Sequence, residues 1–200
     1  MKHVIGILTR PHQEWAKIRD SKHSIAKHYF GHLLWLAMLP PLAWWYGATQ
    51  VGWQIEEHQI FLTPGSAAQI MGLFYLAILL SIAYLGYMIY WMAKTYDARN
   101  SDVSRGIAVA SYMCTPMFIC GLTGLYPVLW LDMVLGTLAA AYTLYLLYIG
   151  IPIFYEMPKE RGFLFASATV AVGLVLMVAL LGATVMLWEL GAMPIFTDGL

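Results

Sequence analysis

Few side chains in this chain are of a kind that could hold a ligand or move a proton. Asp132 is the carboxylate that falls inside an otherwise apolar run, "SYMCTPMFICGLTGLYPVLWLD" at 111–132. A carboxylate there could serve a cation or proton site, or could cap a helix near the membrane surface. The same run holds both cysteines, Cys114 and Cys120. Six helical residues rise about 9 Å, beyond disulfide reach within one helix. Their spacing is neither CxxC nor a zinc pattern, so they read as small buried residues. Of the histidines His3, His12, His23, His28, His32 and His58, five precede or open the first apolar segment. His28 and His32, four apart, share a helix face, and interfacial histidines explain the pair better than a metal does. HExxH, GxSxG and a phosphate loop are all absent. The inventory therefore predicts no catalytic residue, no cofactor and no metal, and the protein reads as a non-enzyme.

The elements that carry these residues follow from composition. The chain has 200 residues, 60% hydrophobic and 11% charged, with mean hydropathy +0.67. A soluble domain carries about 25% charged residues. Apolar stretches long enough to cross a core of roughly 30 Å recur along the chain. The fold class is all-α, a polytopic transmembrane helical bundle. A net charge of zero gives no reason to expect nucleic acid as a partner. The opening MKHVIGILTR has too short an apolar stretch for a cleavable signal peptide, so the first span is expected to act as its own insertion signal.

Residues 1–28 are polar and basic, with Lys2, Arg10, Lys17, Arg19, Lys22 and Lys27. Thr9 and Pro11 mark a helix start. Trp15, Ile18, Ile25 and Tyr29 share a face, which predicts an amphipathic helix lying on the anionic inner leaflet. Spans are expected at about 30–50, 67–93, 107–125, 128–151 and 164–188. Together they make a domain over 29–190, with a short tail at 191–200. Pro40 and Pro41 should kink the first span, and Pro116 is a second break.

Cations decide the topology. Outside the leader they occur at Lys94, Arg99 and Arg105, then at Lys159 and Arg161. The loop at 51–66 has Glu56 and Glu57 and no Lys or Arg. Short basic loops stay cytoplasmic, so residues 107–151 must cross twice, turning at Gly121–Pro127. Five spans result, with the N-terminus cytoplasmic and the C-terminus periplasmic. Asp132 then lies roughly 7 Å into the fourth span, flanked by Tyr126 and Trp130. Gly136 with Ala140, Ser167 with Ala171, Thr169 with Gly173, and Ala179 with Ala183 have the small-xxx-small spacing that lets helices approach closely.

Several stretches resemble the Yip domain family, the Ypt/Rab-interacting membrane proteins, and above all its bacterial branch of small inner membrane proteins, the YohC type. Pro11, Glu14, Trp15 and Ile18 are similar to that branch's P-x-x-E-W-x-x-I opening. Pro40 and Pro41, then Gly47, Thr49, Gln50, Gly52 and Trp53, resemble its proline pair and G-x-T-Q-x-G-W exit. Tyr112 and Pro116 match the family's G-Y-x-x-x-P signature, with Ser111 in place of the glycine. The eukaryotic D-L-x-G-P signature is missing. The resemblance implies a five-span bundle with a cytoplasmic N-terminus and, in eukaryotes, roles in membrane traffic or organisation. The expected function is a non-enzymatic inner membrane protein that organises membrane or partner proteins. Its expected partners are anionic lipid, its own copies or other membrane proteins. The alternative is a transporter or channel for a small solute or ion, with its pathway near Asp132 and the proline breaks.

Overall fold

A computed structural model of the chain describes residues 2–21, 29–55, 58–98 and 101–198. Lys22, His23, Ile25, Lys27, His28, Glu56, Glu57 and Arg99, expected in the leader or loops, lie outside the described residues.

The leader is two helices, α1 (Lys2–Thr9) and α2 (Pro11–Asp20). Arg10 breaks them with a non-helical backbone, and Pro11 opens α2 where its missing N–H costs nothing. The first apolar run is helical but fractured. A π-helical turn (Tyr29–Leu33) leads into α3 (Leu34–Ala37). Met38 then interrupts the run before α4 (Leu39–Tyr46) and a second π turn (Gly47–Val51). The break expected at Pro40 and Pro41 falls at Met38 instead. Both prolines lie in the first turn of α4, where proline is tolerated, so the fault shifts to the residue ahead of that turn. Gly52 ends the run at φ 72°, ψ 177°, a conformation open essentially to glycine alone.

Strands β1 (Trp53–Ile55) and β2 (His58–Leu62) form an antiparallel pair. Helix α5 (Pro64–Thr95) follows, capped by Thr63, whose hydroxyl accepts from the Ser66 N–H. Helix α6 (Val103–Met113) is capped by Asp102. It breaks at Cys114 into α7 (Thr115–Cys120), again with a proline, Pro116, in the first turn. A 3-10 turn (Gly121–Leu125) leads to α8 (Leu129–Phe154). Helix α9 (Lys159–Leu187) continues through a π turn (Trp188–Ala192) to β3 (Phe196–Asp198). Strand β3 pairs with β2, so the loop after the first run and the chain's last described residues form one three-stranded sheet.

Among the described residues, three helices are long and apolar enough to cross a bilayer: α5, α8, and α9 with its π extension to Ala192. The pair α6–α7, bent by 41°, makes a fourth if counted as one broken span. The run at 29–51 is divided into pieces too short to count by length.

Helices α5 and α6 approach most closely at two glycines. A Cβ on Gly106 would strike the Gly86 carbonyl, and one on Gly86 would strike the backbone of Ile107. The 3-10 turn seats on α4 in the same way, Gly121 against Pro40 and Gly124 against Trp44 and the backbone of Gly47. The small residues singled out from spacing do not all serve inside the chain, since Gly136 and Gly173 face open space. Gly106→Ala is therefore expected to lower stability by about 1–3 kcal/mol through overpacking. Gly136→Ala should raise it by up to about 1 kcal/mol through helix propensity. Thermal unfolding in detergent checks the opposite signs.

Candidate functional site

The leader does not lie free. The apolar face of α2 is pressed into the bundle, with Trp15 and Ile18 buried. The Trp15 indole packs edge-to-face on Phe154, ring centroids 6.0 Å apart, and covers Gly150 so closely that any Cβ there would overlap it. The Tyr142 hydroxyl donates to the Leu8 carbonyl at 2.8 Å. The face assigned from sequence to the leaflet is thus covered at Trp15 and Ile18 by α8.

Arginines complete this contact. The last carbonyls of a helix have no partner within it. At the end of α8, Arg19 donates to the Ile153 carbonyl and pairs with Glu156 at 3.2 Å. Arg105 donates to the Phe154 carbonyl at 2.7 Å and lies over the Phe154 ring. Cations at a helix C-terminus also meet its negative dipole end.

Beneath the leader runs a line of polar side chains in contact, half-buried at His3 and buried elsewhere. Glu14, 5% exposed, is hydrogen-bonded to His3 Nδ1 at 2.5 Å and accepts from Lys17 Nζ at 3.0 Å. Burial alone would push the Glu14 carboxyl up, but the hydrogen bonds from His3 and Lys17, with their charges, hold it below its ordinary range. The His3 ring stands edge-on to Tyr112, with centroids 5.8 Å apart. Tyr112 lies 4.3 Å from the His32 ring. His32 Nε2 is 3.3 Å from Thr115 Oγ1, and Thr115 is the first residue after the Cys114 break. Ser111, fully buried beside Tyr112 in sequence, has an Oγ with no hydrogen-bond partner among the described residues.

The line joins both ruptured helical runs to the leader. Of the residues singled out from sequence, Tyr112 belongs to it, Pro11 and Trp15 lie on the helix that carries Glu14, and Pro116 follows Thr115 in the chain. Pro40 and Pro41 stand behind it, buried against the 3-10 turn. Gln50 and Asp132 are elsewhere. Gln50 is exposed and touches Thr49. Asp132 lies in the first turn of α8 near Cys120, half-buried, with an Oδ1 that has no partner among the described residues. Sequence reading missed His3, His32 and Thr115 as members of the line, because they converge from three separate elements. In sequence His32 has only His28 as a helical neighbour of its kind. Among the described residues no group of three or more His, Cys, Asp or Glu could hold a metal ion. Chemically, the line ties the leader to the helix break at Cys114 through the Glu14–His3 hydrogen bond, two aromatic contacts and the His32–Thr115 hydrogen bond.

Helices of membrane-crossing length, fractured helices covered by protein, and arginines drawn to one helix end define a multi-pass α-helical membrane protein. The chain matches the Yip1 domain over residues 5–180 and belongs to the Yip1 domain family. It is 38% identical over 192 residues to the inner membrane protein YohC of Escherichia coli K12, covering 96% of this chain and 98% of that protein. The same figures hold for YohC of Escherichia coli O6:H1 strain CFT073. No solved structure matches it. The protein is accordingly a multi-pass protein of the bacterial inner membrane.

Two outcomes follow for the leader. Trp15→Ala should cost about 3–5 kcal/mol of packing, read as loss of hydrogen-exchange protection in residues 2–21 while α5 keeps its protection. The Glu14 contribution has a definite sign. Its carboxyl is lowered in the folded state, so the stabilisation is complete above the ordinary glutamate value near 4.3 and is lost as pH falls through the lower folded value. Leader protection should therefore lose its Glu14-dependent part only in the acid range. That part should vanish in Glu14→Gln, as a pH series of exchange rates would show.

Proposed function

We propose that this protein is a non-enzymatic inner membrane protein that organises membrane or partner proteins through lateral helix contacts. The observation that carries the reading is the outer half of α9. From Leu181 to Gly191 every residue is exposed, and Val185, Met186 and Leu190 offer apolar surface on different faces. Gly182 meets nothing within 4 Å. A helix apolar all round belongs in lipid or against other helices. The small residues Ala179, Gly182 and Ala183 give it the surface on which helices approach closely.

In this reading the chain crosses five times, the run at 29–51 being the first crossing. The N-terminus is cytoplasmic and the C-terminus periplasmic. Several described cations support that orientation by collecting at one end: Arg19 and Arg105 at the end of α8, and Arg161, paired with Asp97 at 3.7 Å. The leader meets the inner leaflet through charge, since Trp15 and Ile18 are turned into the protein.

A transport role draws on a different observation, the polar line reaching both helix breaks. Asp132, which that role placed beside the breaks, is not part of the line. Photo-crosslinking from position 183 in native membranes separates the two. The organising role predicts discrete protein adducts, to a second copy or to another membrane protein, at several times the yield from position 76 on α5. Adducts to lipid alone, together with solute flux in proteoliposomes, would overturn it.

A further inference from the structure

Between α2 and the α8–α9 hairpin lies a groove of about 1010 Å³ that takes no part in the buried polar line. Its floor is apolar, formed by Ile149 and Ile153 of α8 and by Phe163 and Leu164 of α9. Phe163 and Leu164 are largely exposed, so the floor continues sideways onto the lipid-facing side of α9. Its polar groups are His12 from α2, the neighbouring Lys159 and Glu160 at the start of α9, and Tyr148, whose hydroxyl is hydrogen-bonded to Ser167 Oγ. The ionic groups around it are already matched. Arg19 pairs with Asp20 and Glu156, and Arg161 with Asp97. Lys159 and Glu160 have no ion-pair partner among the described residues. The groove therefore sets one unmatched cation and one unmatched anion above an apolar slot.

We propose that this groove binds one zwitterionic phospholipid whose head group carries a phosphate and a primary ammonium. Lys159, with His12 opposite, takes the phosphate. Glu160 takes the ammonium. An acyl chain lies along Ile149, Ile153 and Phe163 and leaves toward the bilayer. The charge pattern selects this class over an anionic lipid. A head group with no ammonium would leave Glu160 facing a phosphate uncompensated, and like charges brought together disfavour a partner. The proposal rests on the orientation given above, which puts the groove at the membrane surface, and is independent of what α9 packs against.

Native mass spectrometry of the full chain released from nanodiscs of phosphatidylethanolamine and phosphatidylglycerol in equal amounts tests it. The wild type should retain one phosphatidylethanolamine in preference to phosphatidylglycerol. Glu160→Gln should move that ratio toward phosphatidylglycerol by about fivefold, the scale of one exposed ion pair. Lys159→Gln should lower retention of both lipids. Both positions are exposed, so neither variant threatens the fold, which exchange protection of α8 confirms. No retained lipid in the wild type, no preference between the two, or a ratio unmoved by Glu160→Gln overturns the proposal. Crosslinks from position 183 report separately on the organising role, so failure of one leaves the other standing.

Discussion

A backbone group freed inside a lipid bilayer has no water to turn to, and the protein itself must cover it. This constraint shapes the molecule, because two of its apolar runs are broken, at Met38 and at Cys114. Each break lies just ahead of a proline-containing first turn, and the two are set against each other. The 3-10 turn after the second break presses Gly121 onto Pro40 and Gly124 onto Trp44. Glycine is required at these contacts because a Cβ on either residue would overlap the Pro40 ring or the Trp44 indole, and one on Gly47 would strike the Gly124 carbonyl. The fractured runs are thus tolerated as a pair.

The leader follows from the same constraint. Trp15 fills the surface above Gly150, and Arg19 and Arg105 occupy carbonyls at the end of α8. Burying Glu14 would be costly alone, and His3 and Lys17 offset that cost. His3, Tyr112, His32 and Thr115 then extend the polar contact down to the second break. The leader is therefore one more element of the bundle, joined to it by apolar packing on one side and by a polar line on the other.

Much of this architecture was legible in the sequence because hydropathy and proline placement act locally. The long apolar helices, the tight turn after Gly121 and a break near Pro40–Pro41 and near Pro116 could all be read from the order of residues. Gln50 stood out through the family resemblance and Asp132 through its charge in an apolar run, and the structure leaves both outside the polar line. Three things were not legible. An amphipathic pattern says that Trp15 and Ile18 need an apolar neighbour, but not whether lipid or protein supplies it. Small-residue spacing marked Gly136 and Gly173, whereas the tight crossing uses Gly86 and Gly106, one on each of two helices and hence without a shared period. His32 and Thr115 are 83 positions apart, and no local pattern relates them.

The three-stranded sheet has a consequence for biogenesis. Strand β2 lies before α5, while its partner β3 comes after every helix, pairing Leu62 with Phe196 and Phe61 with Thr197. The Thr63 N–H donates to the Ile195 carbonyl, and the Ser66 hydroxyl lies between Met193 and Ile195. During synthesis the hairpin of β1 and β2 is complete long before the ribosome reaches residue 196, so its outer edge stays open while the later helices are inserted. The sheet can be finished only when those helices have taken their places, which makes its closure a mark of completed assembly.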